Sequence, residues 1–505
     1  MKNPFKNWFR KQPKNSIYKG AEVSRLTLDW IVSSTTIDEE VRRDARRLRY
    51  RARDLAKNNP IIVRYRALLK ANVIGHCGIK LDAQVKNNNG KLNETINGKI
   101  ETAWEDWIED VSVDGKYSLI QFQHLAIDTV ATDGEVFIRI INDPAINKYG
   151  ISLQFFDADW IDHEYNVPRG TNGQNEIRLG VEVNEWGRPV AYWIYYFHPN
   201  EIMSRMTHAA NKRIRVPAED IIHIYDPDRI NQTRGTTWYN SVMFSIKMLG
   251  GYREAEVVAA RTASAKMGWF EWSDPSAYNP QDPNAQAQME ATPGTIGEVP
   301  PGRKFVAWSP DHPTTAYPSF VKEENRNIAT GLKVSYNILF NDLEGVSFSS
   351  IRTGVLNDRD QWKVLQRLWV DKFCKRLYRA WIQSALLTRE LILDSRDFKK
   401  FMAVKWQARG WDWVDPLRDI QADILAINNG LGSKSESLAE RGLDIEDVFE
   451  ELQTEKELAI EFGLAFTATI QPDSKPVVDK KQIDVAATDA QTSNRLIMNQ
   501  LLLED

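Results

Sequence analysis

Between Phe320 and Leu387 two helix-patterned segments are joined by a short, polar, glycine-containing loop, and this arrangement constrains the chain more than any other. In the first segment, FVKEENRNIATGLKVSYNIL, Ile328, Leu332 and Leu339 fall close to one helical face. The chain then passes through FNDLEGVSFSSIR into a long second segment. There Trp362, Leu365, Trp369, Phe373, Leu377 and Trp381 recur at steps of three and four, with Asp, Arg and Lys opposite. Such a stripe must be covered along its whole length, whereas the loop is held at both ends and free at its tip.

The rest of the chain alternates helical and strand-like stretches. A helix is expected over 37–58, with Thr36 as its cap and Asp38, Glu39 and Glu40 in its positive first turn. Pro60 punctuates it and a second helix follows to about Asn72, ended by Gly75 and Gly78. Residues 79–86 read as a strand, 87–98 as a polar loop and 99–111 as a helix carrying Trp104 and Trp107. A helix over Leu119–Thr132 gives way to strands as far as Ile224, with turn signals at Asp133-Gly134 and Trp186-Gly187-Arg188-Pro189. Thr237–Met267 is a long helix pattern rich in small residues. The Pro-, Asn- and Gln-rich 273–293 reads as an exposed loop. Beyond Leu387, 397–409 is strand-like, 416–428 and 433–463 are helical, and the remainder turns polar, with disorder expected towards the C-terminus.

At 505 residues there is room for about three cores. The net charge of −4 argues against a generally basic nucleic-acid binder, but its distribution is uneven. Residues 1–70 carry 18 Lys/Arg against 7 Asp/Glu, and residues 411–505 carry 8 against 20. The two cysteines, Cys77 and Cys374, are far apart and support neither a disulfide framework nor a zinc motif. No run is long enough for a membrane span, and the first thirty residues lack a signal-peptide core, so a soluble protein made in the cytoplasm is expected.

Catalytic chemistry finds no foothold. There is no GxxxxGK[ST] phosphate loop, GxSxG, HExxH or Cys-His arrangement. The acidic cluster Asp157, Asp159, Asp162 with His163 and Glu164 invites a divalent-metal reading, but no carboxylate or histidine of matching spacing follows, so a structural or solvated role is preferred. Asp226 and Asp228 around Pro227 are read the same way, and His76 beside Cys77 lacks two further ligands. No metal, cofactor or enzymatic activity is expected. In the first helix Arg42, Arg46, Arg49 and Arg53 share one face, Arg43 and Arg47 lie on an adjoining one, and Arg51 falls near it. Such a helix suits DNA phosphates, but interleaved acids dilute its field, so a subunit or domain interface is preferred for Arg42, Arg46, Arg49 and Arg53.

These segments, in this order, resemble the portal proteins of tailed bacteriophages, in particular the lambda-type family. The likeness rests on RLRYRARDLAKNNPIIVRYRALLKANVI (Arg47–Ile74), TDGEVFIRI (Thr132–Ile140), LQFFDADWID (Leu153–Asp162), GVEVNEWGRPVAYWIY (Gly180–Tyr195), RVPAEDIIHIYDPDRINQTRGTTWYNSVM (Arg215–Met243), GTIGEVPPGRKFVAWSPDHPTTAYPSF (Gly294–Phe320) and the helix–loop–helix itself. It implies an α+β portal fold: an N-terminal arm (1–36), a mixed α/β wing (37–236), a stem helix (237–267), a clip (268–319), a second stem helix (320–334), a tunnel loop (335–350), a long bracing wing helix (351–387), a helical crown (388–466) and a C-terminal tail (467–505). It further implies a homo-oligomeric ring, a dodecamer, at one capsid vertex of the virion, assembled in the host cytoplasm. Double-stranded DNA would pass through it non-specifically, driven by a separate terminase. The remaining partners would be the major capsid and scaffolding proteins and a head-completion or adaptor protein.

On that resemblance Asn337, Asn341, Asp342, Glu344, Gly345, Ser347 and Ser349 face the DNA. They are uncharged or negative, as sliding past phosphates requires. The aromatics Trp269, Phe270, Trp272 and Tyr278 become the clip's partner surface. The alternative is a DNA-binding or DNA-processing protein that uses the basic N-terminal helices; it would be a stable monomer with tight DNA affinity instead of a ring.

Overall fold

The computed structural model describes residues 34–170, 174–201, 212–264, 268–274, 302–307, 316–411, 416–439 and 445–462, with the single residues 25, 29, 441 and 443. The expected C-terminal tail, Tyr278, the 275–293 part of the expected loop and nearly all of the N-terminal arm lie outside them. The chain divides into two compact units, 1–425 with 440–442, and 426–439 with 443–505.

The larger unit is mixed α/β. Its first helix, α1 (Ile37–Asn58), starts where Thr36 accepts a hydrogen bond from the Glu39 amide, above an acidic first turn. Val41, Ala45, Ala52 and Ala56 form its buried line, and the small alanines let its backbone approach the body. Asn59 ends α1 and at once caps α2 (Pro60–Leu69), accepting from the Ile61 and Ile62 amides, with Pro60 in the first helical position. α2 runs into a π turn at Lys70–Ile74 that Gly75 closes with φ 79°. Then come β1 (Lys80–Ala83), α3 (Glu94–Ile108) and α4 (Leu119–Asp133). α3 begins five residues before the expected 99, because Asn93 caps it by accepting from the Ile96 amide.

Nine antiparallel strands build the centre in two main sheets and one added pair. β2 (Glu135–Asn142) lies between β3 (Ile151–Phe156) and β8 (Ile221–Tyr225). A four-stranded meander follows: β4 (Glu176–Arg178), β5 (Val181–Val183), β6 (Pro189–Tyr195) and β7 (Arg213–Pro217). Phe137, Ile161, Val181, Tyr192, Ile194 and Val216 make a core between these two sheets. β11 (Val404–Gln407) pairs antiparallel with β1.

After β8 comes α5 (Met243–Ser264), six residues later than the expected start at Thr237, since 238–242 are turns. β9 (Gly268–Trp272) pairs antiparallel with β10 (Arg303–Ala307), bringing the two ends of the intervening segment together. The helix–loop–helix follows as α6 (Tyr317–Gly331), a short α7 (Tyr336–Phe340), α8 (Phe348–Trp369), a π turn (Val370–Cys374) and α9 (Lys375–Leu387). The predicted stripe is the spine of the main core: Trp362, Trp369, Phe373, Leu377 and Trp381 are all buried. Trp381 meets Trp104 edge-on, 5.0 Å between centroids, and Trp406 of β11 stacks edge-on against Trp104 at 6.0 Å. α10 (Phe398–Phe401) adds Phe401, fully covered, whose carbonyl accepts from Tyr378.

Residues 388–425, placed from sequence in the expected crown (388–466), pack as part of the larger unit, where β11 hydrogen-bonds to β1 and Phe401 and Trp406 join the aromatic core. Four-residue strands carry too little pattern to reveal a partner more than three hundred residues away. α11 (Pro416–Asn428) follows, with Asp419 bound to Arg352 of α8. In the second unit α12 (Lys434–Ala439) packs on α13 (Ile445–Glu461).

Candidate functional site

The helix–loop–helix is anchored at successive points. On α6, Asn325 is buried and accepts from Arg253 of α5, and Tyr252 stacks beside Tyr317 and Phe320. At its C-terminus Gly331 sits so close to Val242 that a Cβ would lie 2.4 Å from that side chain. The helix ends with Lys333 in the left-handed region (φ 58°): the Lys333 amide donates to Thr330, the Val334 amide to Ala329, and Val334 is buried. This is a Schellman stop with lysine where glycine is usual. Next, both the amide and the hydroxyl of Ser335 donate to Asp358 of α8, at 3.0 and 2.6 Å. Burial raises the Asp358 pKa, and the Ser335 bonds partly offset it.

α7 then lays Leu339 into the core, and Asn341 turns the chain with φ 53°. Asp342 accepts from the Tyr336 hydroxyl at 2.7 Å and from Lys322 of α6 at 2.9 Å, which lowers its pKa to about 2. Its other oxygen accepts from the Glu344 amide. Glu344 and Gly345 (φ 67°) form the outermost turn, and Ser347 caps α8 by accepting from the Ser350 amide. The expected loop over 335–350 is therefore shorter than the sequence implied. Asn337 lies half-buried in a helix, and Asp342 is half-buried and fastened to α6 instead of standing free at the tip. Asn341, Glu344, Gly345, Ser347 and Ser349 are exposed.

The arginines of α1 need a larger correction. Arg49 is 2 % exposed and bonds Asp159 at 2.7 Å and Glu135 at 3.4 Å within the same chain. Arg53 pairs with Asp133 and Asp159, and Arg42 with Glu39 and Glu164. Arg49 is thus excluded from a subunit interface, and its partners are acids of the α/β body. Arg46 is exposed and donates to the Tyr50 hydroxyl. Sequence reasoning missed the centre of this network, Glu135, which is fully buried and binds Arg234 (2.6 Å), His223 (3.0 Å) and the Gly235 amide (3.0 Å). Burial by itself would raise its pKa, but the Arg234 charge and the His223 hydrogen bond hold the carboxyl well below the ordinary 4.5. Arg234 also donates to the carbonyls of Ala158, Ile161 and Leu179, tying both sheets together.

Two glycines make that meeting possible. A Cβ on Gly134 (φ 92°) would lie 2.3 Å from Thr236 backbone, and one on Gly235 2.1 Å from the Gly134 carbonyl oxygen. The signal available in the sequence was a glutamate opening an apolar strand directly after Asp-Gly, with an Arg-Gly pair a hundred residues later.

The acidic residues behave structurally. Asp157 and Asp159 follow β3 in a 3-10 turn instead of alternating along a strand, and the fold brings His198 to them, a histidine that spacing did not disclose. Arg49 and Arg53 already hold Asp159, so the positive charge a cation would supply is present. Asp162 pairs with Arg213. Asp226 and Asp228 border a cleft of about 300 Å³ with Trp238, Lys333 and Trp362, and Asp228 accepts from Thr236. Of the expected clip aromatics, Trp272 is half-buried beneath the Arg303 guanidinium, 4.5 Å from its ring centre; the side chains of Trp269 and Phe270 lie outside the described residues. No helix among the described residues is long and apolar enough to cross a membrane.

Geometry thus defines a class first: a protein whose charged clusters serve architecture, with a braced helical hairpin presenting a short uncharged-to-acidic turn. The sequence profile described as "Phage portal protein, lambda family" matches residues 23–366. The chain belongs to the lambda family of phage portal proteins, and its role is that of a capsid portal, structural and non-enzymatic. It is 32% identical over 487 residues to the "Probable portal protein" of Halomonas phage phiHAP-1, covering 92% of this chain and 93% of that one. Against portal protein B of Escherichia phage lambda it is 21% identical over 460 residues, covering 83% and 85%. Among solved structures, the neck of an empty GTA particle aligns with 79% of this chain and 94% of its own at 12% identity and a TM-score of 0.43. The neck of a native GTA particle with C12 symmetry gives 0.41 at the same coverages and identity.

Proposed function

We propose that this chain assembles into a homo-oligomeric ring at one vertex of the virion capsid, through which double-stranded DNA enters and later leaves, with 341–347 as the element nearest the duplex. The observation that carries the reading is membership of the lambda portal family over two thirds of the chain. The make-up of the hairpin tip supports the placement: 341–347 offers a hydroxyl, an amide, the exposed Leu343 and one free carboxylate, Glu344. It carries no cation of its own, and Asp342 holds the neighbouring Lys322. The segment between β9 and β10 is the proposed clip, the docking site for terminase and adaptor. α5 and α6 are the stem, the continuous helix from α8 to α9 is the brace, and the helices beyond α11 are the crown.

Electron microscopy and light scattering of the purified chain test the ring; a stable monomer that binds duplex DNA tightly overturns it in favour of a DNA-binding protein. Deleting Asp274–Pro293 should leave assembly intact and abolish packaging. Glu344→Lys probes the tip without disturbing the Asp342 anchor. It should slow packaging at low salt and recover as ionic strength rises, and a wild-type rate at low salt removes the tip from the DNA path.

A further inference from the structure

α1 also carries a charged surface that faces away from the acids of its own body. Arg42, Arg49 and Arg53 are engaged by acids of their own chain. Arg43, Arg47 and Arg51 stand at steps of four on the outward side, all three exposed. Among the described residues Arg43 pairs with the neighbouring carboxylate of Asp44 alone, and no carboxylate lies within ion-pair distance of Arg47 or Arg51. Tyr50, 40% exposed, lies beside the row with the Arg46 guanidinium 5.7 Å from its ring centre. Like charges four apart on a helix repel, so this row destabilises α1 in the isolated protomer.

The second unit carries the opposite charge at the same spacing. α13 contains seven acidic residues and a single lysine, Lys456. Asp447, Glu451 and Glu455 follow one another at steps of four. Glu450, Glu451 and Glu455 are exposed, and no described cation pairs with them. The two rows share a step of four, and every copy of the chain supplies one of each.

We infer that the Arg43–Arg47–Arg51 row of one protomer docks on the acidic face of α13 in a second copy of this chain. The inference rests on the ring reading above. Placing the rows together relieves two self-repulsions at once, and the resulting head-to-tail contact repeats from copy to copy, the kind of contact that can close a ring. Duplex DNA is the weaker occupant. Asp44 and Asp54 lie beside the row and repel phosphate, and the acidic partner is present in equal number in every assembly.

The test uses the full chain and its assembly measured by light scattering, with circular dichroism to verify folding. Arg47→Glu with Arg51→Glu, and separately Glu451→Arg with Glu455→Arg, should each raise the protomer concentration for half-assembly about tenfold at low salt. Combining all four should bring it back to within about threefold of wild type. In Arg47→Cys with Glu451→Cys, oxidation should give a ladder of cross-linked chains on a non-reducing gel. Rings that form at the wild-type concentration in both reversals overturn the inference, as does a quadruple variant no better than the doubles. Cross-links confined to single chains overturn it too. Loss of duplex DNA binding by Arg47→Glu/Arg51→Glu with unchanged assembly gives the row to phosphate instead. A wild-type chain that stays monomeric at every concentration overturns the ring reading itself, whereas intact wild-type rings with indifferent variants overturn only this contact.

Discussion

The ion network under α1 and the hairpin tip at 341–347 both depend on carboxylates, but they hold them in opposite ways. Glu135 is fully buried and bound by Arg234, His223, Arg49 and a backbone amide, so the carboxylate and the two guanidinium groups need one another to remain charged out of water. Asp342 sits near the surface, bound by one tyrosine and one lysine, with water ready to replace either. The first arrangement fixes the geometry of the α/β body. The second holds a turn at the surface, where the proposed function puts the passing duplex. What separates them is solvent, more than the number of bonds.

Glu135→Ala should have the largest effect on the buried network. It leaves the Arg234 guanidinium without a carboxylate in the interior, while Arg49 keeps Asp159, and should cost about 3–5 kcal/mol in denaturant unfolding; a loss under about 1 kcal/mol would make the network no stronger than a surface pair. Asp358→Ala lies between the two regimes. It removes the acceptor for the Ser335 amide and hydroxyl and should cost about 1–3 kcal/mol, with faster proteolysis at 341–347.

His223 sharpens the contrast through pH. Burial holds its pKa below the ordinary 6.5 despite the hydrogen bond to Glu135. A folded-state value below the unfolded one means that the native chain binds fewer protons. Its contribution is therefore full above 6.5 and falls as pH drops from there, by up to about 1.4 kcal/mol per pH unit. His223→Gln should flatten the unfolding free energy between pH 6.5 and 5 relative to wild type; an unchanged slope would place the titration elsewhere. The smallest effect belongs to Lys322→Ala. The Asp342 carboxyl, lowered to about 2, should titrate closer to 3.8 by NMR while the unfolding midpoint stays put. The sign follows from a depressed folded pKa: the Asp342 contribution is present above 3.8 and is lost as pH falls towards 2. A large drop in midpoint would mean that the tip is as tightly built into the fold as the network.

Read alone, the sequence determined the helices with strong period and clear caps. Thr36 and Asn59 bracket α1 by local hydrogen bonds, and the stripe from Trp362 to Trp381 could only face a core, because its spacing leaves no other way to bury it. Family membership was legible as well, since it rests on ordered local wording. The pairing of distant charges was not legible. A helical wheel places Arg49 and Arg46 on one face with equal chemistry, yet Arg49 bonds Glu135 and Asp159 in the interior and Arg46 stays exposed beside Tyr50. The same limit hid β11 under β1, and it left Asp342 apparently free at a loop tip that Lys322 in fact fastens. Local pattern fixes an element because its hydrogen bonds close within a few residues. Which charges meet depends on contacts between segments far apart in the chain, and only the packed chain, through the Gly134–Gly235 crossing and the burial it creates, decides that.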